Sequence, residues 1–473
     1  MAFQFIKNSS QLLPKDLHKT QLNLRKLGLK TLEKALNAVK PDNLIKKAIN
    51  ICNNQLKIEN DVFDLNNFEK IYVIGGGKAS ADMLFSLEEI LLIANYSNYK
   101  AIINVPNGLK IDRLYNKSHI KINFSSHPIP DENGLNGAKS MIALIEKATN
   151  KDLIICLISG GGSALISLPN EGISLNDKKE TNKLLLAVGA SIKEINTIRK
   201  HLSAIKGGNL AKKIYETSGA KVISLIISDV VGDNLDIIAS GPTVPDPTTY
   251  KESYKILEKY NLIEKVPVNV LNVINSGLKN ESLENPKNNH MCFRNVHNYL
   301  IGTVSVAIQE IELFLEKQNI LVDYFSNAIV GEAKDFGIDL YRIISEKIKS
   351  SGNKNLALIG TGELTVTLKG KGIGGRNQEM LLSFLDFIKN KKVSYKFLIL
   401  AANLDGIEGN SKAMGAIADN FTRKRIIQEK IDTKTFLDNN DSNSFFKALN
   451  CELVTGYTGI NVNDIILILI NLK

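Results

Sequence analysis

A chain of 473 residues is too long for one compact core, so two or three domains are expected. Hydrophobic residues make up 44% and charged residues 23%, the balance of a soluble globular enzyme and not of a disordered or fibrous chain. The formal charge of +10, from 59 Lys+Arg against 49 Asp+Glu, is scattered lysine with no dense basic run among aromatics, which argues against nucleic acid as a partner while favouring anionic substrates.

The four cysteines, Cys52, Cys156, Cys292 and Cys451, stand far apart, mostly in apolar runs. They read as reduced core thiols, with no CxxC pair to suggest zinc or redox work. Residues 1–7 lack the apolar region of a signal peptide, and the longest apolar runs, such as residues 465–470, are far short of a membrane span. A cytoplasmic protein without a membrane partner is expected.

Residues 15–57 carry helical spacing, with Leu27, Leu32, Leu36, Val39, Ile45, Ala48 and Ile51 on an interrupted apolar stripe, and read as helices covering a sheet. Lys70-Ile-Tyr-Val-Ile74 then reads as a buried strand, Gly75-Gly-Gly77 as a turn, and Lys78 opens a helix. That is the opening of a nucleotide-binding α/β unit, although neither the P-loop pattern nor the full dinucleotide fingerprint is present. A lysine at a helix start opposes the macrodipole. An anion between them would resolve the conflict; a surface lysine at a frayed helix start is the alternative.

The loop His127-Pro-Ile-Pro-Asp-Glu cannot be helical, and a lone histidine there is more often structural than catalytic. Residues 152–158 form a second buried strand, and Ser159-Gly-Gly-Gly-Ser163 a second glycine loop entering a helix. Between residues 191 and 206, Ile192, Ile195, Ile198, Leu202 and Ile205 share one helical face. The opposite face carries Asn196, Arg199, Lys200, Ser203 and Lys206, facing an anion or simply solvent.

A third strand, residues 220–227, runs into Ser228-Asp-Val-Val-Gly-Asp233. Acids just past the carboxyl end of a parallel strand lie where α/β folds bind ligands, so Asp229 and Asp233 are candidates for a magnesium ligand or a general base, against a role as loop caps. Residues 280–290 show no apolar periodicity and mark the boundary, giving domains 1–285 and 286–473, with a new unit starting at Asn298. In the second half the spacing predicts strands at 321–326, 355–359, 364–368 and 396–402 and a helix over 379–388. Glu363, Asp405 and Glu408 follow strand ends. Gly370-Lys-Gly-Ile-Gly-Gly-Arg376-Asn377 precedes the last helix and reads as bare amides, a helix N-terminus and a guanidinium set for a charged anion. A flexible glycine-rich loop is the plain alternative.

Together these parts match phosphoryl transfer: amides and cations on phosphates, Mg²⁺ bridging them, and a base near the acceptor hydroxyl. The blocks Gly76-Gly-Lys78-Ala-Ser, His127-Pro-Ile-Pro-Asp-Glu, Ser159-Gly-Gly-Gly-Ser-Ala, the run from Glu194 to Gly208, Ser228-Asp-Val-Val-Gly-Asp and Ile238-Ala-Ser-Gly-Pro-Thr resemble the glycerate 2-kinase family of the MOFRL type. Gly362-Glu-Leu-Thr-Val, Gly374-Gly-Arg-Asn-Gln-Glu, Asp405-Gly-Ile-Glu-Gly, Asn440-Asp-Ser and Thr458-Gly-Ile-Asn-Val-Asn-Asp continue the likeness over about residues 20–470.

The resemblance implies an α/β protein with a larger Rossmann-like N-terminal domain and a smaller α/β MOFRL domain, about 355–470, the active site lying in the cleft between them. It implies ATP-dependent, Mg²⁺-assisted phosphorylation of D-glycerate to 2-phosphoglycerate, and is compatible with a homodimer. Lys78, Arg376 and Asp229 are then the expected catalytic groups. Gly76, Gly77, Ser159, Gly160, Gly161, Gly162, Ser163, Arg199, Lys206, Asp233, Glu363, Asn377 and Asp405 are expected on substrate or ATP, with Asp229 and Asp233 at the metal. Asn403 and Leu404 stand where the family has a glycine and a hydroxyl, and Leu364 where it has another hydroxyl; the acids survive. Some relatives bear the name hydroxypyruvate reductase, so a hydride-transfer enzyme is the rival, and an inactive anion sensor a third reading.

Overall fold

The computed structural model describes residues 3–109, 111, 117–351 and 355–471. The chain forms two compact units: Leu44–Ile301, and Met1–Asn43 together with Gly302–Lys473.

The unit 44–301 begins with a three-stranded antiparallel meander, β1 (Ile49–Cys52), β2 (Gln55–Ile58) and β3 (Asp61–Asp64). The sequence stripe there predicts helix, but Asn53 and Asn54 take positive φ and turn the chain into a hairpin. A six-stranded sheet follows, made of β4 (Ile71–Gly76), β5 (Tyr99–Pro106), β6 (Ile120–Ser125), β7 (Leu153–Ile158), β8 (Lys221–Ile227) and β9 (Val296–Gly302). Its order is β6-β5-β4-β7-β8-β9, and the β4–β5, β4–β7, β5–β6 and β7–β8 pairs are parallel. Counted within the sheet this is 3-2-1-4-5-6, the doubly wound order, with its switch point between β4 and β7.

All residues of β4 and β7 are buried, as parallel strands covered on both faces must be. Ile74, Cys156, Ile158, Met141, Ile145, Ile205 and Ile226 join one core cluster on a face of the sheet. Residues 298–302 do not start a new unit. They are the edge strand of this sheet, held where Asn298 exchanges hydrogen bonds with the Thr243 hydroxyl and carbonyl, so the units part at 301/302, later than residues 285/286.

The other unit has a mixed six-stranded sheet of β10 (Leu321–Ile329), β11 (Leu356–Gly362), β12 (Lys396–Asn403), β13 (Gly415–Asp419), β14 (Glu452–Leu453) and β15 (Asp464–Asn471), in the order β10-β11-β15-β12-β13-β14. The last strand of the chain is thus central, antiparallel to both β11 and β12. No strand forms over residues 364–368, where only a single bridge joins Thr365 to Glu332. The helix Lys19–Ala38 belongs to this unit. Gly28 lets it lie against β12, since a Cβ there would come within 2.4 Å of Leu398, and its fully buried Arg25 pairs with Asp419 at 2.7 Å. This long-range ion pair explains why residues 1–43 fold with the C-terminal half. Among the described residues no helix is long and apolar enough to cross a membrane.

Candidate functional site

In the unit 44–301 the two glycine loops meet at the switch point. A Cβ on Gly75 would stand 2.1 Å from the Leu157 carbonyl oxygen, and one on Gly77 2.1 Å from Ser159 Oγ. Only glycine permits this approach. It lets the Lys78 amide donate to the Gly160 carbonyl at 3.0 Å and the Ala79 amide to Ser159 Oγ at 3.0 Å. Gly76 faces Ile166, and Gly162 lies against the Gly76 carbonyl.

Gly161 is left-handed, φ +82°, and a Cβ there would touch the His127 ring at 3.2 Å and Lys78 Cγ at 3.4 Å. The amides of Gly160 and Gly161 donate no hydrogen bond among the described residues, so this turn is an open nest of N–H groups beside Lys78. Burial and the Lys78 charge lower the pKa of His127, which is therefore neutral beside the lysine. Gly161→Ala is expected to cost about 1 kcal/mol from the left-handed backbone alone, lowering Tm by a few degrees, and to raise the KM for a phosphate-bearing substrate about tenfold by crowding His127 and Lys78; thermal melting and steady-state kinetics read the two effects separately.

Behind the nest, Lys206 Nζ donates to the Ser163 carbonyl and hydroxyl oxygens, both at 2.6 Å, and Ser163 Oγ lies 2.9 Å from Ser240 Oγ. Ser240 and Ala239 hold left-handed backbones, φ +62° and +49°. Arg199 donates to Asn182 Oδ1 from Nε (2.9 Å) and Nη2 (2.5 Å). Burial lowers the pKa of both cations.

The single basic face expected over residues 191–206 does not exist. The helix ends at His201, and Lys200 is buried between Asp236 (2.9 Å) and Asp246 (3.3 Å). Acids absent from the local sequence arrive from the loop after β8. Asp229 and Asp233 follow β8 half-buried, Asp233 with φ +56° in a turn closed by its amide on the Val230 carbonyl. Among the described residues no group of three or more His, Cys, Asp or Glu side chains is placed to hold a metal.

The unit containing 302–473 builds a different cluster. The helix Arg376–Ile388 starts three residues earlier than predicted. Its first amides are not bare: Asn377 and Gln378 donate to Glu408 Oε2 and Oε1 at 2.8 and 3.0 Å. The loop before it is likewise committed, with the amides of Lys369 and Gly370 on Asn440, Lys371 on Asn439, Ile373 on Asp441 and Gly374 on Asn410. Gly375 is small because a Cβ would meet Glu408 at 2.5 Å. A protein carboxylate therefore fills the place predicted for a ligand anion, since the helix N-terminus favours any negative charge.

Arg376 reaches the end of the sheet, where Gly362 and Asn403 flank Asp464 across β11, β15 and β12. It grips Asp464 through Nε (2.5 Å) and Nη2 (2.8 Å) and Glu363 through Nη1 (2.5 Å). Asn377 Nδ2 adds a bond to Asp464 at 2.9 Å. Asp464 and Glu363 raise the guanidinium pKa against burial. Among the described residues three of its five N–H donors are used. Asp405 sits beyond β12, its Oδ1 accepting from the Ile407 amide at 3.2 Å.

Burial, reinforced by Asp464, pushes the Glu408 carboxyl up to about 7 from an ordinary 4.5. A carboxyl with a raised folded pKa binds more protons folded than unfolded, so stability falls as pH rises from about 4.5 to 7, by on the order of 3 kcal/mol. Glu408→Gln is expected to flatten that slope; melting curves at pH 5 and pH 8 check it.

Sequence reasoning missed the burial of Lys178, Glu408 as the helix cap and Asp464 as the partner of Arg376. Lys178 had a local signal, a lysine on the buried stripe Leu175, Lys178, Thr181, Leu185 of the helix Leu175–Ala187. Asp464 had none, because only the sheet register brings it to Arg376.

The chain matches the family described as a domain of unknown function, DUF4147, over residues 28–275 and the MOFRL family over residues 356–464. It is 39% identical to a glycerate 2-kinase of Pyrococcus horikoshii, covering 96% of this chain and 98% of that one. A crystal structure of glycerate kinase from Thermotoga maritima superposes with a TM-score of 0.81 at 33% identity, covering 95% and 99% of the two chains. A protein of Agrobacterium vitis named putative hydroxypyruvate reductase is 34% identical over 84% of this chain and 86% of its own. The doubly wound sheet, its paired glycine loops and these matches agree: the chain belongs to the glycerate 2-kinase family of the MOFRL type.

Proposed function

We propose that the chain is an ATP-dependent glycerate 2-kinase that moves the terminal phosphoryl group of Mg-ATP to the 2-hydroxyl of D-glycerate. The observation that carries this reading is the open nest of Gly160 and Gly161 beside Lys78 at the switch point of a doubly wound sheet, a donor set made for phosphate oxygens. In this reading Gly76, Gly77, Gly162 and Ser159 hold the two loops together, and the amides and Lys78 take the transferring phosphoryl. Ser163, Arg199 and Lys206 bear on a further anionic group.

Asp229 accepts the hydroxyl proton as the substrate oxygen bonds to phosphorus and the bond to the ADP oxygen breaks. Asp229 or Asp233, oxygen donors without histidine or cysteine beside them, would hold Mg²⁺, which needs only one or two protein carboxylates. The metal would neutralise developing phosphate charge. Arg376, kept charged and fixed by Asp464 and Glu363, keeps two N–H donors among the described residues for an anionic group; Asn377 fixes Asp464, and Asp405 supplies an acid at the same sheet end. A cytoplasmic setting fits this metabolism, and small molecules are its only required partners.

Hydride transfer needs an acid near the end of the second strand for the nicotinamide ribose. Here β5 ends at Pro106, followed by Asn107, whose amide side chain bonds Ser126. The test is release of ADP from ATP that depends on D-glycerate, run beside oxidation of NADH with hydroxypyruvate. Glycerate-dependent ADP release without NADH oxidation is the expected result; the reverse would replace the kinase with the reductase.

A further inference from the structure

Three basic side chains share one neighbourhood behind the glycine nest: Lys206 bonds Ser163, Lys178 bonds Ser167 four residues on, and Arg199 bonds Asn182, four residues along the helix from Lys178. Lys178 stands on the helix Leu175–Ala187, Arg199 on the helix Ile192–His201, and Lys206 in the turn that follows. Lys178 is 9% and Lys206 3% exposed, and Arg199 is half-buried, opening the group to solvent on one side. Their partners are neutral oxygens: Ser167 Oγ for Lys178 at 3.2 Å, Asn182 Oδ1 for Arg199, and Ser163 for Lys206. Among the described residues none of the three forms an ion pair.

The acids nearby are committed elsewhere. Asp177 and Glu194 close capping boxes at the starts of the two helices, Glu180 is exposed, Asp236 and Asp246 hold Lys200, and Glu284 holds His201. The remaining charged groups on the two helices, Lys179, Lys183 and Lys193, are basic. Buried lysines are ordinarily paired, and an uncompensated buried charge is costly. Of their donors, Lys178 uses one of three and Arg199 two of five, so several N–H groups await an acceptor.

We infer that Lys178, Arg199 and Lys206 form a pocket for one phosphate group, with Lys178 as a ligand that only the fold brings to it. The inference rests on the phosphoryl-transfer reading and adds to it the ligand's chemistry and a third cation. A dianion balances three buried cations better than a single carboxylate does, and Lys206, bonded to Ser163, ties the pocket to the nest. Burial and the neighbouring Arg199 bring the Lys178 amine down to about 7, and burial with Lys178 and Arg199 lowers Lys206 well below its ordinary value. A bound dianion reverses both effects, so binding above pH 7 takes up protons.

The test is calorimetric titration of inorganic phosphate into the whole chain at pH 8, in two buffers of different ionisation enthalpy. The wild type is expected to bind with net proton uptake. Lys178→Met is expected to weaken binding at least tenfold and to reduce the uptake, with no fall in Tm, because methionine keeps the buried stem and removes an amine whose partner among the described residues is the Ser167 hydroxyl alone; Lys178→Gln, which keeps a donor, is expected to fall between the two. Unchanged affinity and uptake in both variants, or no binding by the wild type, would overturn the pocket. ADP and 2-phosphoglycerate titrated separately identify the phosphate's source by which of them loses affinity in Lys178→Met; loss with neither also overturns it. No turnover is needed. A chain that binds phosphate through Lys178 yet phosphorylates no glycerate keeps the pocket and loses the kinase reading, and one that phosphorylates glycerate with phosphate affinity untouched by Lys178→Met loses the pocket alone.

Discussion

Lys78→Met is expected to lower kcat/KM for glycerate phosphorylation by about 10³-fold. The residue sits where β4 ends and the helix Ser80–Ile93 begins, its own amide fixed on Gly160 and its side chain beside Gly161 and His127. Charge placed before the transition state forms costs no reorganisation when it is needed, which is why loss of one such group removes several kcal/mol of barrier lowering. Methionine keeps the stem's length and apolar contacts and removes the charge. Steady-state kinetics check it. A loss of less than tenfold would take Lys78 out of the reaction.

Asp464→Asn is expected to act on stability and activity at once. Asp464 is fully buried and accepts from Arg376 twice and from Asn377 once. The variant leaves Arg376 with the half-exposed Glu363 as its remaining carboxylate and turns a buried amide against donors that had a carboxylate, at a cost of about 1–3 kcal/mol, which lowers Tm by on the order of 5 °C in a unit of this size. Arg376 also loses the grip that aims it, so kcat/KM is expected to fall about 100-fold. The double variant Arg376→Met with Asp464→Leu separates the two roles. It is expected to recover part of the Tm, since an apolar pair of similar volume removes the desolvation cost, and none of the activity. Recovery of both would make the pair purely structural.

The parallel sheet can be read from the sequence because β4, β7 and β8 are short unbroken apolar runs that end in glycine or serine, β4 and β8 with a lysine or an acid just beyond, and because strands covered on both faces leave that signature. The glycine loops are legible for the same reason. A triple glycine between a buried strand and a helix has few other uses.

What local pattern hides is long-range pairing. Asp464 reaches Arg376, 88 residues away in the chain, only through β15, Glu408 caps a helix 31 residues before it, and Arg25 joins the helix Lys19–Ala38 to β13 across 394 residues. Lys200 looks like its neighbour Arg199 on periodicity alone, and only the arrival of Asp236 and Asp246 sends the two cations to different tasks. The loop over residues 369–375 looks bare for want of knowing that Asn439, Asn440, Asp441 and Glu408 fold onto it.

Phosphorus NMR of the purified chain with Mg²⁺, ATP and D-glycerate tests the central claim most directly, because it reports both the transfer and the carbon that receives the group. The account predicts a growing 2-phosphoglycerate resonance as the terminal phosphate of ATP disappears, absent with Lys78→Met. Intact ATP, or a monoester at carbon 3, would contradict it.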